Sequence, residues 1–292
     1  MLNLNIGSNM AYSAFWQIFA DFLPELCNYN VNIQIKKSTF SKHNLFTLLL
    51  QPENEVQADK QSYYDEEIKI IIAQVLAKYI LGYQSWQWLI RKVKKECPEL
   101  AKEEWLQIVY AASQWLKGIS NGEYDLISNS FNYKLCKNIY KYISENTMFD
   151  VEGYSRFRLS DYYAKLQESL NISIEEFYWQ REYEEFVWVL KSFLANQKEI
   201  IKVLHILMQA DGQFVLLDEN KQLVRDESGD SVTIDGIANL YDDVLIGSIL
   251  ALAPAKIILH HRHCLKRHFR ELLEDVVGER ISYCNGCDIC RV

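Results

Sequence analysis

The chain has 292 residues, of which 49% are hydrophobic, and a formal net charge of -8. This length and composition suffice for a full hydrophobic core, and the low counts of Gly (11) and Pro (4) exclude a largely disordered chain. Because contacts to phosphates need a basic surface, the acidic balance argues against a nucleic acid as the partner.

Residues 1–60 predict a small N-terminal α/β unit. LNLNI and VNIQIKK alternate apolar and polar residues like strands, and NLFTLLLQ adds a short apolar strand. Between the first two, AYSAFWQIFADFLPEL carries the apolar stripe of a helix. The polar residues that follow Pro52 predict a connecting loop.

Residues 61–202 predict a helical region. Helical spacing is found in DEEIKIIIAQVLAKYIL, SWQWLIRKVKKEC, KEEWLQIVYAASQWLKGI and YKLCKNIYKYISEN. A further helix, SIEEFYWQREYEEFVWVLKSFLANQ, opens with Ser173 and Glu176 at the spacing of a capping box. Its apolar residues cover so much of the circumference that we expect a central helix rather than a surface helix.

Residues 203–292 predict a C-terminal α/β domain with a cysteine-rich tail. KVLHILMQADGQFVLLDENKQLVRD indicates strands joined by turns at Asp211-Gly212 and at DENK, and LYDDVLIGSILALA indicates a helix ended by Pro254. Strand KIILHH, helix CLKRHFRELLEDVV and strand RISYC then form a βαβ unit with parallel strands. The predicted fold class is therefore α+β: an N-terminal α/β unit, a central helical region and a C-terminal mixed sheet ending in this βαβ unit.

The cysteine content and the hydropathy pattern point to a cytoplasmic location. Seven cysteines, in a chain whose first residues do not resemble an export signal, predict reduced thiols rather than disulfides. No apolar run reaches the roughly 20 residues that a membrane-spanning helix needs.

Cysteines and histidines concentrate near the C-terminus. Cys284, Cys287 and Cys290 are spaced by three, and HHRHCLKRH holds four of the six histidines. Because parallel strands end at the same edge of a sheet, the predicted βαβ unit brings both stretches together. Three thiols and a fourth donor complete a tetrahedral zinc site, and C-x2-C-x2-C also resembles the ligand loop of iron–sulfur proteins. The predicted fourth donor is Cys264, with His260, His261, His263 or His268 as alternatives.

A structural interpretation stays open beside the metal site. In it, Cys284 is a core-facing strand residue, Cys287 and Cys290 lie in a mobile tail, and the histidines belong to an exposed basic helix start. A redox C-x2-C pair is a weaker alternative, because such thiols are activated at a helix N-terminus and only two residues follow Cys290.

The sequence contains no strong catalytic motif. It lacks a Walker A loop, G-x-G-x-x-G and H-E-x-x-H, and no catalytic or cofactor-binding residue is predicted. His205, in the strand VLHILM, is interpreted as a hydrogen-bonded core histidine rather than a catalytic base. The glutamates of EEFYWQREYEEF are interpreted as solvated or arginine-paired side chains. A function in binding is therefore favoured over catalysis.

Residues 152–197, with RFRLSDY followed by REYEEFVWVLKSFL, resemble the YtxC-like family of sporulation proteins. The resemblance continues through VLHILMQADGQFVLLDEN and YDDVLIGSILALAPAKIILH and so extends over about residues 150–292. It implies a part in endospore formation and a partner such as another sporulation protein, and it supplies no catalytic residues. The leading hypothesis is a sporulation-associated protein that acts by binding, and the alternative is a metalloprotein that uses the C-terminal cysteines.

Overall fold

The computed structural model of the chain describes residues 2–9, 12–20, 22, 24, 31–40, 43–52, 58–117, 125–208, 213–224 and 241–291. The chain divides into two compact units, Met1–Phe177 and Tyr178–Val292. The boundaries near residues 60 and 202 that the sequence indicates stay predictions. None of the described helices combines the length and the apolarity that crossing a membrane requires.

The first unit contains a four-stranded sheet with the order β2-β3-β1-β4. Its strands are β1 Leu2–Ser8, β2 Val31–Phe40, β3 His43–Pro52 and β4 Met148–Asp150. Strand β3 is antiparallel to β1 and to β2, whereas β4 pairs with β1 in parallel. Side chains of a strand alternate between the two faces of the sheet, and the inward set of β1 and β3 is buried. This set is Leu4, Ile6, Phe46, Leu48 and Leu50.

Helices pack against this sheet to complete the first core. They are α1 Tyr12–Ala20, α2 Ala58–Tyr79, α5 Asp125–Glu145 and α6 Val151–Arg158. Two further helices, α3 Ser85–Glu96 and α4 Lys102–Lys117, contact each other and contribute none of the described residues of this core. A π-helical turn, Ile80–Gln84, joins α2 to α3. The core side of α2 includes Ile72 and Leu76, both fully buried. The predicted order of an α/β unit followed by helices is confirmed.

A single helix, α7 Ser160–Asn196, follows and has 37 residues. Ser173 is buried in the interior of this helix, so the predicted helix start at Ser173 is wrong. The residues before Ser173 are already helical, and the spacing of a capping box is not sufficient to start a new helix. The expectation that this stretch is a central helix is also wrong, because its second half exposes several large apolar side chains, including Trp179 and Trp188.

The second unit contains a four-stranded sheet with the order β6-β5-β7-β8. Its strands are β5 Val203–Met208, β6 Phe214–Leu217, β7 Lys256–His260 and β8 Ile281–Tyr283. Strand β7 is parallel to β5 and to β8, and β6 is antiparallel to β5. Helices α8 Tyr241–Leu252 and α9 Arg267–Val277 and the second half of α7 contribute described residues to the core on this sheet. The predicted mixed sheet and its closing βαβ unit are therefore confirmed.

The connections of the second sheet differ in part from the predicted ones. At DENK, Oδ1 of Asp218 accepts the backbone N–H groups of Asn220 and Gln222, which confirms a turn there. The predicted turn at Asp211-Gly212 lies outside the described residues.

Helix α9 begins at Arg267, three residues later than predicted. Cys264 belongs to a preceding 3-10 turn, and the backbone is extended at Leu265 and Lys266. Leu265 is buried, so its packing favours an extended backbone over an earlier helix start. The predicted helix CLKRHFRELLEDVV would place Cys264 and His268, four residues apart, on one face, and this expectation is wrong because Cys264 precedes the helix.

Candidate metal centre

The two cysteine and histidine stretches meet at the sheet edge where β7 and β8 end. Leu259 of β7 pairs with Tyr283 of β8 in parallel register. The N–H of Cys284 then donates to the carbonyl oxygen of Leu259 at 2.9 Å. His260, the last residue of β7, is thereby placed beside the residue that follows β8.

Four side chains direct their donor atoms toward one point at this edge. A ring nitrogen of His260 and the Sγ atoms of Cys284, Cys287 and Cys290 all lie within 4.8 Å of one another. The Sγ of Cys290 is 3.7 Å from that of Cys287 and 3.7 Å from that of Cys284. The Nδ1 of His260 is 3.2 Å from the Sγ of Cys290 and 3.5 Å from that of Cys287. In the part of the chain that the structure describes, this is the one cluster of three or more potential metal ligands.

The donors differ in their exposure to solvent. The side chain of His260 is buried, with 1% of its surface exposed, whereas the three cysteines are half-buried and free of disulfides. The sheet therefore fixes the imidazole, while the thiols remain within reach of an ion from solution.

Local hydrogen bonds fold the tail around the thiols. The N–H of Gly286 donates to the Sγ of Cys284 at 3.4 Å, and the N–H of Cys290 donates to the carbonyl oxygen of Cys287 at 3.0 Å. Gly286 has a φ of +115°, in the region where residues with a side chain are strained. Glycine at this position permits the tight turn that carries the chain from Cys284 to Cys287.

A second histidine orients His260. The Nε2 of His260 lies 3.0 Å from the Nδ1 of His205 on strand β5. For Nδ1 of His260 to bind a metal, its Nε2 must carry the proton, and this N–H then donates a hydrogen bond to Nδ1 of His205. Leu207 lies opposite His260 in the parallel pairing, and His205 is on the same face of β5 two residues earlier. The predicted hydrogen bond of His205 agrees with this contact, but its predicted place in the core is wrong, because His205 is half-buried on the face of β5 opposite the core residues Leu204 and Ile206.

Burial lowers the pKa of both imidazoles. Desolvation is the largest cause for each ring, and the charges that His205 and His261 carry when protonated lower the pKa of His260 further. Both His205 and His260 are therefore favoured in the neutral form, in which histidine binds metals.

The thiols of Cys287 and Cys290 have opposite tendencies to ionise. Burial opposes ionisation of Cys287, but hydrogen bonds from the backbone of Cys290 and Ile289 and from the thiol of Cys284 outweigh it and lower the pKa. Burial and the neighbouring thiols raise the pKa of Cys290. Cys287 is therefore the thiol that reaches the thiolate form more readily.

The first-choice fourth donor, Cys264, lies outside this cluster, and His260 takes its place. His261 adopts a left-handed backbone conformation with a φ of 53° and turns the chain away from the thiols. Cys264 follows in the 3-10 turn and packs against the hydrophobic core of the second unit instead.

The remaining histidines of the stretch have other surroundings. The Nδ1 of His261 lies 3.2 Å from the carbonyl oxygen of Met208, and its Nε2 lies 3.3 Å from that of Cys290. His261 thus links the end of β5 to the tail. His263 and His268 are exposed and do not belong to the cluster.

Replacing His205 is expected to weaken metal binding without removing a ligand. In a His205→Phe variant, Nε2–H of His260 loses its acceptor, and substitutions of such supporting groups typically weaken metal affinity 10–100-fold, about 1.4–2.7 kcal/mol. Competition with a chelator measures this change. His263→Phe is the matched control because His263 is exposed and does not contact His260 in any described hydrogen bond. Equal affinity of both variants and the parent would contradict the supporting role.

The metal-free protein is expected to lose stability as the pH falls from about 7 to about 5. The pKa values of His205 and His260 are lowered in the folded state, so the unfolded chain binds more protons below the ordinary histidine pKa of about 6.5. The stabilisation by the neutral pair is complete above that value and is lost as the pH falls through the folded pKa values. Urea unfolding at several pH values, in the presence of a chelator, measures the slope. The His205→Phe variant should show a shallower slope, and an unchanged slope would count against the pair as its origin.

Comparisons with known proteins give a consistent family likeness. A family model described as the YtxC-like family matches residues 70–282. A protein of Bacillus subtilis (strain 168) described as "Uncharacterized protein YtxC" is 19% identical over 216 residues, which are 72% of this chain and 76% of the relative. No solved structure matches the chain. The family match includes His205 and His260 and ends two residues before Cys284. The grouping of the three thiols is therefore supported by the geometry of the structure and not by the family match.

Proposed function

The chain belongs to the YtxC-like family, and from that premise we propose that it is a zinc-binding protein with a C-terminal centre formed by His260, Cys284, Cys287 and Cys290. One observation carries the proposal: four donors of the type that zinc prefers lie within 4.8 Å of one another. They come from one strand end and one tail, so a bound ion would tie the tail to the sheet.

The distances between the donors favour a single tetrahedral ion. Zinc–sulfur bonds of about 2.3 Å at tetrahedral angles separate two sulfurs by about 3.8 Å, and the Sγ of Cys290 lies 3.7 Å from each of the other two thiols. A zinc–nitrogen bond of about 2.0 Å likewise places the imidazole nitrogen about 3.5 Å from each sulfur, close to the 3.2 and 3.5 Å found for Nδ1 of His260.

An iron–sulfur cluster fits this arrangement less well. In a cubane cluster each ligand binds a different iron atom, so the ligands stand further apart than those around one ion.

Four protein ligands around one zinc ion leave no open coordination position, which is the pattern of structural rather than catalytic zinc. The proposed role of the ion is therefore to stabilise the C-terminal unit, with thiolates that need a reducing compartment such as the cytoplasm.

Metal analysis of the full-length protein tests the proposal. The chain is purified without a histidine tag, once in air and once anaerobically, and its zinc and iron contents are measured. We expect about one zinc per chain in both preparations and little iron. Substoichiometric zinc and iron in both preparations would overturn metal binding. Stoichiometric iron in the anaerobic preparation would identify iron, and not zinc, as the bound metal.

The proposed biological setting is endospore formation, where the protein acts by binding another protein. Its support is membership of the family, whose resemblance implies a part in sporulation, together with the absence of a Walker A loop, G-x-G-x-x-G and H-E-x-x-H from the sequence. Disruption of the gene in a spore-former that carries it is expected to delay sporulation or lower spore yield. Complementation with the parent gene and with a Cys287→Ser allele separates the contribution of the metal centre from that of the rest of the chain. Normal timing and yield after disruption would remove the sporulation role.

A further inference from the structure

The second half of helix α7 exposes a row of large apolar side chains, here called the aromatic stripe. Its members are Trp179, Phe186, Val189 and Phe193, with exposed fractions of 65%, 49%, 54% and 50%. Together they expose apolar surface on the order of 400 Å², the size of patch that often marks an interaction site on a soluble protein.

The spacing of these residues places them on one side of the helix. Trp179, Phe186 and Phe193 are seven residues apart, and Val189 lies between the last two, so all four fall within about a quarter of the circumference. The neighbouring quarter carries Tyr183, Val187, Leu190 and Leu194, which pack into the core of the second unit. The apolar face of α7 is thus about twice as wide as the part that this core covers.

Contacts on the protein hold the first member of the stripe in place. The indole of Trp179 stacks on the ring of Tyr183, with ring centroids 5.6 Å apart and an interplanar angle of 11°. The hydroxyl of Tyr183 in turn donates to Oδ2 of Asp275 on α9 at 2.7 Å. A tryptophan that is already oriented loses little conformational freedom on binding, which is typical of the residues that dominate an interface.

The charged residues that α7 itself carries beside the stripe are acidic. Glu175 and Glu182 lie on the same side of α7 as the stripe, both exposed, and Glu185 lies along its border. Of the two basic residues in this half of the helix, Arg181 is paired with Glu185 at 3.4 Å, and Lys191 lies on the opposite side. A partner that covers the stripe therefore meets apolar surface flanked by negative charge.

We propose that the aromatic stripe is the docking surface for a cationic amphipathic helix of a partner protein. Such a helix presents apolar residues at heptad spacing to Trp179, Phe186 and Phe193 and carries lysine or arginine beside them, opposite the glutamates. A second copy of the chain would instead bring its own glutamates to this acidic surface, which like-charge repulsion disfavours. The inference rests on the proposed binding role, for which it names the chemistry of the partner, and it does not require zinc.

A synthetic peptide serves as the probe for this surface. It is a helix-forming peptide with leucine at the heptad a and d positions and lysine beside them, and a second peptide replaces each lysine with glutamate. Binding of each labelled peptide to the full-length protein is followed by fluorescence anisotropy at physiological ionic strength. We expect the lysine peptide to bind at least about tenfold more tightly than the glutamate peptide.

Two protein variants localise the binding. Phe186→Gln together with Phe193→Gln is expected to weaken binding of the lysine peptide at least about tenfold, because both side chains leave the apolar surface. Trp188→Gln is the matched control, since Trp188 is 68% exposed on the opposite side of the same helix and should leave binding unchanged. Circular dichroism and thermal unfolding establish that each variant keeps the parent fold.

The outcomes decide between occupants and between the two proposals. Equal binding of both peptides, or equal loss in the stripe and control variants, would overturn the docking surface. A dimer in light scattering that the stripe variant abolishes would assign the surface to a second copy instead. Tight peptide binding by a zinc-free Cys287→Ser protein would support the docking surface independently of the metal. The zinc centre is tested separately by the metal content of the parent protein.

Discussion

A Cys287→Ser variant is expected to lose at least about 100-fold in zinc affinity, about 2.7 kcal/mol, and to unfold at a lower temperature than the zinc-loaded parent. Serine keeps the shape of the side chain but replaces a soft thiolate with a hydroxyl that stays protonated near neutral pH. Cys287 lies 3.5 Å from Nδ1 of His260 and 3.7 Å from Sγ of Cys290, so its loss removes one corner of the proposed tetrahedron. Chelator competition and thermal unfolding with and without zinc measure both effects.

The controls for this variant separate the metal from the substitution itself. Cys287 is half-buried in the tail, so in the presence of a chelator the variant and the parent should unfold at nearly the same temperature. Cys264→Ser removes a thiol that is also half-buried but lies outside the cluster, and it should retain the zinc affinity of the parent. If a chelator leaves the melting temperature of the parent unchanged, the proposed ion does not stabilise the fold.

The sequence predicted the sheet edge at which the cysteine and histidine stretches meet, but it did not predict that His260 rather than Cys264 lies among the three thiols. The order of strand, helix and strand is enough to predict parallel strands, because a short crossover of this kind has one favoured handedness. The choice between His260 and Cys264 depends instead on where β7 ends and on the left-handed backbone of His261. A shift of one residue in a strand turns a side chain to the other face, and no composition signal fixes that register.

Three other features of the structure could not be predicted from local sequence patterns: the start of α7, the covered part of its apolar face and strand β4. Ser173 and Glu176 have the spacing of a helix start, yet the helix continues through them because the preceding turns are already helical. The width of the apolar face of α7 is visible in the sequence, but the sequence does not show which half of that face the protein itself covers. The sequence does not predict strand β4, because its three residues are too few to show an alternating pattern.

A Phe149→Ala variant is expected to lose about 3–5 kcal/mol of unfolding free energy, the cost of emptying a buried aromatic site. Phe149 is the middle residue of β4 and is fully buried, opposite Ile6 of β1 in the parallel register. Its ring lies 5.6 Å from that of Tyr142 in an edge-to-face contact and 4.8 Å from that of Tyr154. The side chain therefore fixes a strand pairing that joins the start of the chain to residues about 140 positions later, with three ladder positions to support it.

Urea unfolding followed by tryptophan fluorescence measures this loss, because Trp16, Trp86, Trp88, Trp105 and Trp115 report on the first unit. Met148→Ala is the matched control, since Met148 is the neighbouring residue of β4 and is 51% exposed, and its substitution should change the free energy by less than about 0.5 kcal/mol. The two variants differ by one position in a strand whose side chains alternate between core and solvent, so the ratio of their effects measures whether β4 is seated in that register. A cost for Phe149→Ala no larger than that for Met148→Ala would mean that β4 does not close the sheet of the first unit, and that its core ends at β1.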